Sequence, residues 1–136
     1  MIRTLAVRLV AGFFVILVGG CAASAIDPNT KLDYQNLIGE WEWSYAVGVS
    51  TLTIESVGAV GDKLLVEGFY KPCPPSCGKE KGMPLTGLVD SQRSPDEMTF
   101  TLLNGSKMNL RWNGKNRLWG NARLQNWSGG VDFYKK

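Results

Sequence analysis

The chain has 136 residues, 15 of them basic and 12 acidic, and it has no histidine. The lack of histidine excludes catalytic triads with an imidazole base and most catalytic zinc sites. Because Arg3 and Arg8 fall in the first 20 residues, the remainder has 13 basic against 12 acidic side chains and gives no case for nucleic-acid binding, which needs a clustered basic face.

The first 20 residues have the order of a secretory signal. Arg3 and Arg8 precede an apolar run of ten residues, Leu9 to Val18, and small residues follow it. A membrane-spanning helix needs about 20 apolar residues, so this run is too short to cross a bilayer. We therefore predict export through an N-terminal signal segment, residues 1–20.

Two cleavage sites compete at the end of this segment. Residues 18–21, Val-Gly-Gly-Cys, resemble the bacterial lipobox, which implies that Cys21 becomes an acylated N-terminus anchored in the lipid bilayer. Residues 23–25, Ala-Ser-Ala, fit ordinary signal peptidase, and cleavage after Ala25 would release a soluble secreted protein. We favour lipidation, because the cysteine directly follows the apolar run. By resemblance to Gram-negative lipoproteins, Ala22 after the cysteine implies an outer-membrane protein facing the periplasm.

The remaining chain divides into a tether, residues 21–36, and one β domain, residues 37–136. From residue 37, short apolar runs rich in β-branched and aromatic residues alternate with turn residues. The predicted strands are 37–47, 49–57, 63–71, 85–90, 97–104, 107–113, 117–124 and 130–135. No connector is long enough for a helical crossover, so neighbouring strands should pair antiparallel. The sequence predicts an all-β fold, a small antiparallel up-and-down β-barrel of eight strands, with a β-sandwich as the alternative.

Cys73 and Cys77 lie in a proline-rich loop, CPPSC. With Cys21 assigned to lipid, they form an even pair in an oxidising compartment, where a local disulfide is the simplest outcome. A structural zinc site is the alternative, but two thiols without a second pair or a histidine cannot complete four ligands. We predict the disulfide, and we predict no metal and no cofactor.

Gly39-Glu40-Trp41 at the first strand resembles the G-x-W opening of lipocalin-type domains. The phrases VEGFY, LTGLV and LWGNA are similar to the strand rhythm of the wider calycin group. The resemblance covers residues 37–136 and implies a barrel whose closed end is plugged by Trp41. It also implies that a late-strand arginine, for which Arg123 is the best-placed candidate, packs on that tryptophan.

Two functions fit the predicted barrel. The resemblance implies a barrel whose interior binds a small apolar or amphipathic ligand, and we favour that function. The lining residues that we predict are Trp43, Tyr70, Phe100 and Trp112. The alternative is an envelope adaptor, or a glycan- or protein-binding module, with a packed interior and an outer face or loops that make the contacts.

Three smaller expectations complete the prediction. Carboxylates alternate with apolar residues along the strands, which is typical of a solvated outer face, and no catalytic site can be assembled from them. We therefore expect a binding protein and not an enzyme. The lysines of the disulfide loop, Lys71, Lys79 and Lys81, could attract anionic head groups. We expect a monomer.

Overall fold

The structure, a computed structural model, describes residues 32–136, so the predictions at Cys21 and Ala25 lie outside the described residues. One antiparallel sheet of eight strands closes on itself in sequence order. A 3₁₀ helix, Tyr34–Leu37, precedes the strands. The strands are β1 Gly39–Tyr45, β2 Gly48–Val60, β3 Lys63–Cys73, β4 Met83–Val89, β5 Glu97–Leu102, β6 Lys107–Trp112, β7 Arg117–Leu124 and β8 Trp127–Lys135. The predicted all-β up-and-down barrel is confirmed, and the sandwich alternative is wrong because β8 pairs with β1.

Strict alternation of apolar and polar residues decides which face of each strand points inward. In β5 every second residue, Met98, Phe100 and Leu102, is buried, and the residues between them are exposed. β6 repeats this pattern. Because side chains alternate between the two faces of a strand, such a sequence supplies one apolar lining and one solvated outside.

β2 is longer than the pattern predicted. It runs to Val60 because residues 58–60 pair with β3, and only Gly61 and Asp62 remain as the turn. The register shifts between Ile54 and Ser56. The extra residue, Glu55, forms a β-bulge there, which bends the strand and increases its twist.

β8 begins earlier than predicted, at Trp127 and not at residue 130. Trp127 pairs with Leu124 of β7, so the turn consists of Gln125 and Asn126 alone. This register brings the Trp127 side chain to the end of the barrel, where it becomes part of the site described below.

One end of the barrel is closed by the 3₁₀ helix. Leu37 is fully buried there, and Trp41 Nε1 donates to the Leu37 carbonyl at 2.9 Å. Tyr34 donates from its hydroxyl to the Pro95 carbonyl at 2.8 Å. Leu32 and Tyr34 fell within the predicted tether, but both pack against the core. None of the helices formed by residues 32–136 has the length and apolar character needed to cross a membrane.

Side chains fill the barrel from the closed end past its middle. The four largest of the fully buried side chains are Trp41, Phe100, Trp112 and Phe133. Phe100 lies directly over Gly87, where an added Cβ would meet the phenylalanine ring at 2.5 Å. Open space is therefore left only toward the other end.

Candidate functional site

The open end of the barrel, called the mouth from here on, is formed by four connections between strands. These are residues 46–47, 74–82, 103–106 and 125–126. Two adjoining pockets lie there, one of about 450 Å³ and one of about 700 Å³. They share a wall made of Tyr70, Pro72, Leu124 and Trp127.

The smaller pocket is called the aromatic pocket from here on, and β1 contributes two of its aromatic rings. The alternating order Trp41-Glu42-Trp43-Ser44-Tyr45 sends three aromatic rings to the inner face, rising from the closed end to the mouth. The Trp43 ring centroid lies 4.6 Å from that of Tyr45 and 5.7 Å from that of Trp127. Trp127 is 43% exposed, so part of its side chain is accessible at the mouth.

A pair of hydroxyl groups lies on the β2–β3 side of the aromatic pocket. Ser50 is fully buried, and its Oγ shares a hydrogen bond of 3.0 Å with the hydroxyl of Tyr70. Ser50 also donates to the hydroxyl of Tyr45 at 3.4 Å. Burial raises the pKa of Tyr70, the bond to Ser50 opposes this and Tyr45 adds to it. Tyr70 is therefore neutral at physiological pH and offers a polar handle inside an apolar pocket, which is how small-molecule sites orient their ligands.

The larger of these, the loop pocket, lies beneath the β3–β4 connection. Cys73 and Cys77 are joined by a disulfide, so the predicted bond is confirmed. The bond closes a short loop, and Ser76 donates from its backbone to the Pro72 carbonyl at 2.8 Å. Pro72, Pro75 and Ser76 then form one wall of the loop pocket.

The lysines of this loop do not line either pocket. Lys71 donates to the Gly78 carbonyl at 2.7 Å, and Lys81 forms an ion pair with Glu55 at 3.0 Å. Among the described residues that line the two pockets, the charged side chain is Glu80. The residues 71–81 thus do not give the mouth the positive lining that the sequence suggested.

The four predicted lining residues separate into two groups. Trp43 and Tyr70 lie in the aromatic pocket, as expected. Phe100 and Trp112 are fully buried in the core and line neither pocket. Their assignment as ligand contacts is corrected, because Phe100 fills the space over Gly87 and Trp112 is deep toward the closed end.

Of the structural residues implied by the lipocalin resemblance, Gly39 and Trp41 lie at the closed end and Arg123 does not. Trp41 is fully buried at the closed end, and Gly39 opens β1 there with φ 138°. Arg123 is exposed on the outside of β7 near the mouth, opposite Ser128. The cation over Trp41 is Lys135, whose Nζ lies 5.6 Å from the ring. The expected packing of Arg123 on Trp41 is therefore wrong.

Seven residues that line the aromatic pocket were not predicted as ligand contacts. They are Tyr45, Ala46, Val47, Ser50, Pro72, Leu124 and Trp127. Tyr45 shares the inner face of β1 with Trp41 and Trp43, so the period of two could have found it. Trp127 fell between the predicted strands 117–124 and 130–135. It belongs to β8 because the turn between β7 and β8 has only two residues.

Metal chemistry finds no support within residues 32–136, where no three cysteine or carboxylate side chains are grouped so as to hold an ion. No protein-family model, no curated protein and no solved structure matches the chain. The assignment of the mouth as the candidate site therefore rests on its own geometry.

Proposed function

We propose that this protein is a membrane-anchored lipoprotein of the cell envelope whose lipocalin-like barrel binds a small apolar or amphipathic ligand at the mouth. The observation that carries the proposal is the aromatic pocket, where Trp43, Tyr45 and Trp127 lie in contact around a cavity of about 450 Å³. Sites for small molecules are typically apolar clefts of about 300–1,000 Å³ with a few placed polar groups.

The packing of the barrel limits what this ligand is. Because Phe100 and Phe133 are fully buried in the interior, a long acyl chain would have to displace their rings to enter the barrel. A flat ring or a short alkyl chain fits against the indoles of Trp43 and Trp127. The Ser50–Tyr70 pair offers a hydrogen bond to a polar atom of that ligand. The role is binding, without catalysis.

The described chain enters the barrel at the end opposite the mouth. Leu32 packs against the core and Tyr34 starts the 3₁₀ helix at the closed end. An acylated Cys21 would therefore be connected to the domain through its closed end. The mouth would remain free to open toward the periplasm, where a soluble ligand can reach it.

Ligand binding is tested with N-phenyl-1-naphthylamine, whose fluorescence rises in apolar sites. We expect saturable enhancement with the folded protein, and about tenfold weaker binding after Trp127→Ala, since a stacked aromatic contact contributes about 1 kcal/mol or more. Trp119→Ala is the matched control, because Trp119 lies on the outer face of β7 under Arg117. Native mass spectrometry of protein purified from its own envelope identifies the natural ligand. No enhancement in the wild type, or equal losses in both variants, would contradict the proposal.

The anchor is tested separately with Cys21→Ala in its native host. The wild type should partition into the detergent phase of a detergent extraction, because several acyl chains hold a protein stably at a bilayer. The variant should move to the aqueous phase, and its intact mass should lack the acyl groups. Identical partitioning of the two proteins would indicate ordinary cleavage and a soluble secreted form.

An envelope adaptor is the second candidate, and exposed apolar side chains at the mouth favour it. Val47 is 75% exposed and Leu103 is 79% exposed, each in a turn. Leu103 lines neither pocket, so Leu103→Ser separates the two functions. If this change abolishes capture of an envelope partner while ligand binding is unchanged in the same protein, the adaptor is supported.

A further inference from the structure

Two cations lie side by side on the outside of the barrel, next to the mouth. Lys107 of β6 and Arg123 of β7 are direct partners in the ladder, and both side chains are exposed. Direct cross-strand partners have Cβ atoms about 4.5–5.5 Å apart, and like charges in that arrangement destabilise the sheet. An unfavourable pair at this place needs an explanation.

The neighbouring side chains do not neutralise the pair. On either side in the same row of the sheet are Thr101 and Ser128, which carry no charge. Within residues 32–136, neither Lys107 nor Arg123 forms an ion pair, and the ion pairs that do form join other residues. Arg111, two outward-facing positions further along β6 from the mouth, differs in this respect, since it pairs with Asp96 at 3.0 Å.

The pair lines a groove that is continuous with the mouth. The groove has a volume of about 420 Å³ and contains both cations. Four of its residues also line the loop pocket: Asn104, Ser106, Leu124 and Gln125. Asn104 Oδ1 accepts from the Ser106 backbone at 2.9 Å, which fixes the turn between the groove and the mouth. A ligand whose apolar body lies in the mouth can therefore extend its polar end across this turn to the cations.

The loop on the opposite rim of the mouth carries Lys79 and Lys81 beside Glu80, and of these three it is the acidic residue that lines the loop pocket. Glu80 lines the loop pocket from the disulfide loop, and its carboxylate accepts from the Gly78 backbone at 3.4 Å. Its charge repels an anionic group on that side. An amphipathic anion is therefore directed toward β6 and β7, with its charge at Lys107 and Arg123.

We propose that the groove of Lys107 and Arg123 is an anion subsite of the mouth, and that the ligand is a small amphipathic anion with a carboxylate, sulfonate or phosphate head group. This inference rests on the proposed function, since the apolar body of the same ligand occupies the mouth. The anion would then be held by this pair of cations and not by the loop lysines, which line neither pocket of the mouth. A bound anion that contacts both cations would also explain why two like charges lie opposite each other in the ladder.

The test uses three probes with one apolar body, which are 4-phenylbutyrate, 4-phenylbutyramide and 4-phenylbutylamine. Calorimetric titration of the folded protein should give the tightest binding for the carboxylate. Lys107→Gln and Arg123→Gln should each weaken carboxylate binding about fivefold, a factor that one exposed ion pair can supply in water. The double variant should lose about twentyfold and leave the amide unchanged. Added salt should weaken only the carboxylate, because exposed charges are screened.

Matched variants remove the same charges elsewhere. Lys63→Gln with Lys115→Gln, one at the start of β3 and the other in the β6–β7 connection, both at the closed end, should leave all three affinities unchanged. Glu80→Gln should leave carboxylate binding equal or slightly tighter.

If the amide binds as well as the carboxylate and the double variant changes nothing, the subsite is wrong while the mouth remains a binding site. If the amine binds best and Glu80→Gln weakens it, the ligand is a cation and the inference is overturned. If none of the probes binds, the proposed function fails together with the inference.

Discussion

Two buried tryptophans in this barrel differ by one hydrogen bond. Trp41 and Trp112 are both fully buried. Trp41 Nε1 donates to the Leu37 carbonyl at 2.9 Å, which joins β1 to the 3₁₀ helix that closes the barrel. Trp112 Nε1 has no hydrogen-bond partner among the described residues. A buried donor without a partner costs free energy, and a paired one does not.

This difference predicts unequal effects of the same substitution. Trp41→Phe removes indole packing and also leaves the Leu37 carbonyl unpaired, which adds about 1–3 kcal/mol to its cost. Trp112→Phe removes similar packing together with an unpaired donor, so its cost should be smaller by about that amount. Trp41→Ala should cost about 3–5 kcal/mol, as truncation of a buried aromatic does. Urea unfolding of the variants measures the differences. Equal costs for the two Phe variants would mean that the bond to Leu37 contributes nothing.

Tyr70 links the stability of the mouth to pH. Burial raises its pKa above the ordinary value of 10.0, so the folded chain holds this proton more tightly than the unfolded chain. The stability it contributes is fully present below pH 10 and is lost as pH rises through the folded pKa. Tyr70→Phe should be less stable than the wild type at pH 8, because Ser50 loses the shorter of its two hydroxyl hydrogen bonds. The difference in thermal midpoint should narrow as the pH rises above 10 and through the raised pKa of Tyr70, and a constant difference would place Tyr70 in an ordinary environment.

Alternation along a strand predicts the face of a residue but not its height in the barrel. It correctly placed Trp43 and Phe100 on inner faces, yet one of them lies at the mouth and the other is sealed in the core. Height depends on strand stagger and on what covers each end, and neither appears in the sequence of a single strand. The same limit misplaced the cation on Trp41, because Lys135 and not Arg123 reaches the closed end.

At the scale of single strands, the packing between β4 and β5 depends on a missing side chain. An added Cβ at Gly87 would lie 2.5 Å from Phe100, which is fully buried. Gly87→Ala should therefore cost about 1–3 kcal/mol, as overpacking does. Gly58→Ala is the matched control, since nothing lies within 4 Å of its added Cβ. Phe100→Leu in the same chain should recover part of the Gly87→Ala loss. Additive losses in the double variant would mean that the two residues do not clash.

The strands could be read from the sequence, but most of them differ at one or both ends from the predicted bounds, β2 and β8 by the most, and the helix was not predicted. Most of the strands carry the period of two, so their existence and antiparallel order follow from pattern and short connectors. The extension of β2 depends on pairing with β3 beyond the bulge at Glu55, which is a tertiary interaction. The helix at Tyr34–Leu37 is four residues long, too short to produce a helical period. The burial of Leu37 and its bond to Trp41 hold it in place.

At the scale of the whole molecule, the barrel is packed toward one end and apolar but open at the other. The 3₁₀ helix and the large rings of Trp41 and Trp112 close the first end. The large side chains that pack this end line neither pocket of the mouth. Substitutions at Trp43 or Trp127 can then change binding while the closed end maintains the fold. This separation makes the mouth variants usable as tests of function.

The seam between β1 and β8 is where the barrel closes, and few residues hold it. The paired positions are Trp41 with Lys135 and Glu42 with Tyr134. The Lys136 backbone donates to the Glu40 carbonyl at 2.9 Å. Lys135 also covers the Trp41 ring and donates to the Asn36 carbonyl. The last two residues of the chain thus tie β8 to β1 and to the segment at the closed end.

Deleting Lys135 and Lys136 should therefore open the barrel along this seam. We expect a loss of about 3 kcal/mol, from two or three hydrogen bonds at about 1 kcal/mol each and the cation–π contact. Lys136→Ala keeps the backbone hydrogen bond and removes only the ion pair between Lys136 and Glu42. Both side chains of this pair are partly exposed, so the substitution should cost less than about 1 kcal/mol. Hydrogen exchange should show β1 and β8 losing protection first in the truncated chain, while the long β2–β3 hairpin stays protected. Unchanged stability, or earliest exchange in β2 and β3, would mean that the barrel does not depend on this seam. Because Trp43 and Trp127 come from the two strands of the seam and contact each other at the mouth, the truncation should also weaken ligand binding.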